Sequence, residues 1–179
     1  MHTEALALPG CQLVHLDRFE DARGCFVKTY QRAAFEAAGM EPLEGESFYT
    51  VSRQGVLRGM HFQIPPAQHA KLVHCQAGRV LDVFIDLRRG SPHYGQHQAI
   101  ELSGDTGLAL YLPAGIAHGF LTLSEQACMS YQVSSPHSPA HDAGIRWDSF
   151  GFDWPIAQPV LSERDQRHPA LADFDSPFA

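Results

Sequence analysis

Basic and imidazole side chains crowd one stretch of this 179-residue sequence: between Gly55 and Val73 lie Arg58, His61, Gln63, Gln68, His69 and Lys71, around a strand, a Pro65-Pro66 break and a second strand. Residues two apart on a strand share a face, so His61 and Gln63 point the same way, as do His69, Lys71, Val73 and Cys75. Arg58 falls on the face opposite His61 unless a bulge intervenes at Gly59. If the Lys71 face is interior, a titratable histidine and a lysine project among apolar neighbours, where burial shifts pKa values and suits acid/base work. The alternative for each is a place at a solvated rim.

A second cluster is Pro113–Phe120, whose P-x-G-x-x-H spacing ending at His118 resembles the second signature of the cupin superfamily of jelly-roll barrels. In metal-dependent cupins that histidine joins an H-x-H pair and a carboxylate as ligands. This sequence has no H-x-H. The candidates that remain are His61 and His118, beside Lys71, a cation that repels a divalent metal. Such a site suits an organic anion, the enolate formed when a proton is removed beside a ketone. No metal and no cofactor are expected.

These residues must be carried by strands. Short β-branched and aromatic runs separated by Gly, Pro, Ser and Asp recur at Gln12–Asp17, Lys71–Gln76, Val80–Asp86, Leu108–Leu112 and Met129–Val133, the punctuation of an all-β sandwich or barrel. Helix is expected over Gln31–Ala38, rich in alanine and stopped by Gly39, and as a turn near Ser162–Gln166 in an otherwise irregular tail from Ala157. The length fits one domain spanning residues 1–179. Thirteen basic against 20 acidic side chains, net −7, argue against a nucleic-acid partner. Cys11, Cys25, Cys75 and Cys128 show no zinc or C-x-x-C spacing and read as free thiols of a cytoplasmic protein. No apolar run approaches the roughly 20 residues of a membrane-spanning helix.

The order of motifs resembles the dTDP-4-dehydrorhamnose 3,5-epimerase family, whose barrel is cupin-like. The resemblance is carried by Asp21–Phe26 (D-x-R-G-x-F), G-V-L-R-G-x-H-x-Q-x-P-P-x-x-x-x-K-L-V from Gly55 to Val73, Asp86–Pro92, Pro113–Phe120, Tyr131 and Leu161–Asp165. It implies a nucleoside diphosphate 4-keto-6-deoxyhexose as substrate, whose carbonyl acidifies C3 and C5. By the same resemblance His61 is the base, Asp165 fixes its tautomer, Lys71 faces the developing C4 oxyanion and Tyr131 delivers a proton to the opposite sugar face. Arg23 and Arg58 bind the diphosphate, Phe26 sits near the nucleotide, and His118 is an active-site histidine with Asp82 as a possible partner. A homodimer is also implied, with the segment carrying Arg23 and Phe26 reaching into the neighbouring subunit's site.

Departures from the family pattern cluster where the nucleotide is read. Lys28 replaces an acidic residue, Glu46, Ser47 and Phe48 stand where Q-x-N is usual, Pro136-His137 replaces Tyr-Tyr, and His69 replaces a glutamine. The proton-transfer residues are intact, so the reaction type is better defined than the base. The competing readings are a 3,4-ketoisomerase using the same enolisation, a binding module without catalysis, and a metal-dependent cupin.

Overall fold

The computed structural model describes residues 1–179. Strands β1 (His2–Ala5), β2 (Gln12–His15), β3 (Asp17–Asp21) and β4 (Gly24–Lys28) precede helix α1 (Arg32–Ala37). There follow β5 (Glu46–Arg53), β6 (Leu57–Gln63), β7 (Lys71–Ala77), β8 (Arg79–Asp86), β9 (His97–Ser103), β10 (Leu108–Leu112), β11 (Ile116–Thr122), β12 (Gln126–Val133) and β13 (Asp142–Gly144). Helix α2 (Glu163–Arg167) and a 3₁₀ turn at Leu171–Asp173 come last. No helix is long and apolar enough to cross a membrane.

Two antiparallel sheets face each other as an all-β jelly-roll barrel, one ordered β1-β2-β10-β7-β12-β5 and the other β13-β6-β11-β8-β9. Strand alternation explains what fills the space between them. On β8, Val80 and Phe84 join Val73, Cys75, Leu110, Phe120, Met129 and Tyr131 inside, while Val83 and Ile85 point outward. The outward face is nonetheless buried, because the chain after β13 lays Ile145, Phe150, Trp154 and Phe178 over it. The outer face of the larger sheet is covered by α1, whose Phe35 packs beside Val14, Leu72, Ala109 and Tyr111. The central strands β8, β10 and β11 are therefore buried almost throughout, as strands covered on both faces are, while the edge strands β1, β5 and β9 are more exposed.

The expected run Gln12–Asp17 divides at Leu16: β2 stays in the large sheet, and β3 leaves it to pair only with β4. That hairpin stands outside the barrel with Phe19 and Phe26 opposite each other in register and both exposed.

The feature that matters most for chemistry is a bulge in β6. Against β11, His61 pairs with His118 but Arg58 pairs with Phe120, so three steps on one strand match two on the other. Glycine permits it twice. Gly59 adopts φ +148°, and a Cβ there would lie 2.6 Å from the Cα of Gly119, while one on Gly119 would lie 2.8 Å from the Arg58 carbonyl oxygen.

Candidate active site

A cavity of about 400 Å³ opens between the sheets where β5, β12 and β7 face β6 and β11. Alternate residues of β5 send Glu46, Phe48 and Thr50 into it, β6 sends Arg58, His61 and Gln63, and β7 sends Lys71. His118 from β11, Tyr131 from β12, His137 from the following loop, Asp142 from β13 and Arg164 from α2 complete the ring of polar groups. Because of the bulge at Gly59, Arg58 and His61 share this cavity although strict alternation sets them on opposite faces.

His61 Nε2 lies 2.8 Å from Asp165 Oδ1. Ser162 caps α2 by accepting from the Asp165 amide at 3.1 Å, which turns the carboxylate toward β6, where the Gly59 amide also donates to it at 3.4 Å. Burial would raise the Asp165 pKa, but the His61, Ser162 and Gly59 donors outweigh it and hold the carboxyl at about 2. An ionised carboxylate only accepts, so Nε2 carries the proton and Nδ1 keeps its lone pair. Burial pulls the His61 pKa below its ordinary value, against the opposing pull of Asp165, and leaves the ring neutral and able to take up a proton.

Lys71 is buried and its ammonium donates to the His61 carbonyl oxygen at 2.9 Å, tying the cation to the strand that carries the imidazole. Burial lowers its pKa to about 8, against the pull of Asp142 and Asp82. Tyr131 is held above the usual phenol range, first by burial and then by the charge of Asp82, so it remains a protonated acid. Its ring stacks on Phe48 at 4.8 Å and 11°. In the interior behind it, His118 Nε2 lies 2.8 Å from Asp82 Oδ2. Burial raises the pKa of Asp82, only partly countered by His118.

At the mouth, Arg58 Nε donates to Ser52 Oγ at 2.9 Å, which aims the guanidinium along the cavity wall. Gln63 joins two loops: its amide donates to the Ala67 carbonyl at 2.8 Å and meets His69 Nδ1 at 3.1 Å, while its oxygen accepts from the Ser138 amide at 2.5 Å, fixing the loop that presents His137. His69 is kept neutral, its pKa lowered to about 3 by burial and by Lys71.

Arg23, Phe26 and Lys28 lie outside this cavity, on the separate β3–β4 hairpin, where Arg23 is 90% exposed and paired with Asp21 at 2.6 Å. Three residues that sequence reasoning did not single out belong at the site. Arg164 lies within L-S-x-x-D, at a position that motif leaves variable, and bonds Asp142 of β13. His168 reaches the back of the His61–Asp165 pair from beyond α2. None of the three sits on a strand with a readable alternation, except Asp142 on a three-residue strand too short to show one.

Two groups of side chains have metal-ligand chemistry. His61, Asp165 and His168 converge, but Arg164 Nε stands 3.6 Å from the same Asp165 oxygen and Lys71 lines the same cavity, so cations already occupy the surroundings. His2, Glu4 and His15 gather at the outer edge of the large sheet. There the imidazoles stack at 3.9 Å and 13°, which keeps their lone pairs in separate, nearly parallel planes rather than meeting in one.

Comparison with known proteins agrees with this geometry. Residues 5–173 match the family model described as dTDP-4-dehydrorhamnose 3,5-epimerase. A dTDP-4-dehydrorhamnose 3,5-epimerase of Pseudomonas aeruginosa is 41% identical over 179 residues, covering 98% of each chain. Among solved structures, a dTDP-6-deoxy-D-glucose-3,5-epimerase from Legionella pneumophila in complex with dTDP-4-keto-L-rhamnose superposes with a TM-score of 0.92 at 30% identity, over 97% of this chain and 94% of that one. A 3'-monoepimerase from Streptomyces bikiniensis in complex with dTDP-quinovose gives a TM-score of 0.88 at 31% identity, over 93% and 86%.

Proposed function

This chain belongs to the dTDP-4-dehydrorhamnose 3,5-epimerase family and is an isomerase of the epimerase class, and from that membership we propose that its cavity takes a dTDP-linked 4-keto-6-deoxyhexose and inverts C3, C5 or both in deoxysugar biosynthesis. The observation that carries this reading is the His61–Asp165 pair at 2.8 Å opening onto a cavity shared with Lys71 and Tyr131.

The chemistry follows from the residues. His61 Nδ1 removes the proton beside the C4 ketone, and the electron pair moves onto the carbonyl oxygen. The Lys71 ammonium stabilises the resulting enolate oxygen in a site of low dielectric. Asp165 stabilises the imidazolium while it exists. Tyr131, kept protonated by burial, gives its proton to the opposite face of the enolate carbon, so configuration inverts. Arg58 pairs with the diphosphate, whose planar recognition suits a guanidinium. Glu46, Phe48 and His137 border the seat of the thymidine, with stacking on Phe48 and His137 in place of the amide and tyrosine usual in the family.

The exposed β3–β4 hairpin supports the further proposal of a homodimer in which Arg23, Phe26 and Lys28 complete the partner's site, because an isolated hairpin displaying two phenylalanines gains little by standing in water. Four free cysteines fit a reducing, cytoplasmic setting.

Solvent deuterium exchange tests the assignment. With dTDP-4-keto-6-deoxyglucose in D₂O, the native chain should incorporate deuterium at C3, C5 or both without moving the ketone. The variant His61→Asn should lose roughly 10²–10⁴-fold in exchange rate while still binding dTDP. Exchange by His61→Asn at the native rate would remove the base from this mechanism, and a ketone migrated to C3 would make the chain a ketoisomerase.

A further inference from the structure

His168 has no role in the mechanism above, yet it is placed with unusual care. Its imidazole is largely buried, 12% exposed, and its Nε2 lies 3.8 Å from Asp165 Oδ1, the same oxygen that His61 contacts from the other side at 2.8 Å. The two imidazoles meet edge to face, with centroids 5.7 Å apart and planes at 68°. Nε2 of His168 is buried without a hydrogen-bond partner. A buried polar atom is normally paired, so its position against the carboxylate calls for a physical cause.

The strand beside it provides the space. Gly144 of β13 stands directly opposite His61 in the ladder. A Cβ on Gly144 would lie 2.5 Å from His168 Nε2 and 2.7 Å from two of its ring carbons. The backbone at Gly144 is not in the left-handed region, so the glycine is needed for the imidazole rather than for its own conformation. A slot is left open at the rung of the base, and the ring of His168 fills it.

We propose that His168 is a positioning residue for proton transfer: its ring closes the back of the His61–Asp165 pair, fixing the carboxylate and keeping water from the base. The charged and titratable groups facing it are His61 from β6, Asp142 from β13, and Arg164 and Asp165 from α2. Burial keeps His168 below the ordinary histidine pKa, so a neutral ring lies against the pair. Since burial is also the main force holding His61 down, removing the ring admits water and lets His61 retain its proton to higher pH. The inference rests on His61 being the base, as proposed above.

His168→Ala tests it, with Gly144→Ala as a second route to the same displacement. Truncation should lower kcat about tenfold with KM little changed, since misplacing a catalytic group by ~1 Å can cost up to 10²-fold. The acid limb of kcat/KM should move upward by about half a pH unit or more. Gly144→Ala should reproduce both effects in the native background and add nothing to them in the His168→Ala background. A melting temperature lowered with kcat and the pH profile unchanged would mean mere packing and would overturn the proposal, as would additive losses from the two substitutions. His61→Asn run alongside separates the failures: if it is inert while His168→Ala is silent, only the role of His168 falls; if it stays active, the mechanism falls with it.

Discussion

Replacing Asp165 by Asn keeps the shape of the α2 cap and removes one charge. The carboxyl is held at about 2 rather than the ordinary 3.8, a difference of roughly two units or about 2.5 kcal/mol, at 1.36 kcal/mol per unit, between its charged and neutral forms. The side chain is 4% exposed, so solvent screening takes little from that figure. That figure is the net of His61, Ser162 and Gly59 against burial, and it sets the scale on which, in the proposed mechanism, the Asp165 charge stabilises the imidazolium: its loss alone should slow proton removal by about 10²-fold. The amide adds a second fault. Asn can present its N–H to Nε2, moving the ring proton to Nδ1, where the base must be empty, and an inverted tautomer of this kind can cost as much as ~10⁴-fold. Exchange of substrate protons with D₂O, followed by NMR in a single turnover so that product release is not rate-limiting, should therefore fall between these values. The Gly59 amide can still donate to the Asn oxygen, so the fold should persist. A rate within a few-fold of the native chain would refute the view that this carboxylate sets the basicity and tautomer of His61.

Lys71 makes the other pH-dependent prediction: kcat/KM of the free enzyme should decline as pH rises through about 8, and in Lys71→Met the remaining activity should show no such limb. Stability should move the opposite way. Between about 8 and the unfolded value of 10.5 the folded chain binds fewer protons than the unfolded one, so resistance to urea should rise with pH across that window in the native chain and not in Lys71→Met. Gly59→Ala should cost about 2–4 kcal/mol in urea titration, since it combines a positive φ with a close approach to Gly119, and exchange should fall further than stability because Arg58 and His61 would no longer point into one cavity.

Much of this was legible in the residues. Of the face left open between interior and rim, Lys71, Val73 and Cys75 lie inside the barrel while His69 precedes β7 and is only half-buried at the mouth, and Gln31–Ala38 holds the helix Arg32–Ala37 ended by Gly39 at φ +73°. Arg58 was the ambiguous one. Alternation separates it from His61, and only the approach of Gly59 to Gly119, sixty residues away in the chain, decides that a bulge forms. His168 and Arg164 were invisible for a different reason: they sit on a five-residue helix and the turn that follows, where no period reports a face, and their place depends on how the tail docks. The short β1, β3–β4 and β13 pairings escaped because three to five residues, several of them charged, give a weak strand signal.

The separation of 104 residues between His61 and Asp165 has a consequence for how the molecule is made. Asp165 and His168 follow all thirteen strands, and a chain emerging from the ribosome delivers them after both sheets have been synthesised. The segment that brings them is pinned alongside β6 by Val160, which accepts from the Leu57 amide and donates to Gly55. The same late stretch brings Phe150, Trp154 and Phe178 onto the outward face of the smaller sheet, so completion of the fold and assembly of the His61–Asp165 pair coincide. On the proposed mechanism, a chain that has not yet received Asp165 holds His61 without the carboxylate that orients it, so handling of a sugar nucleotide waits on the docking of this segment.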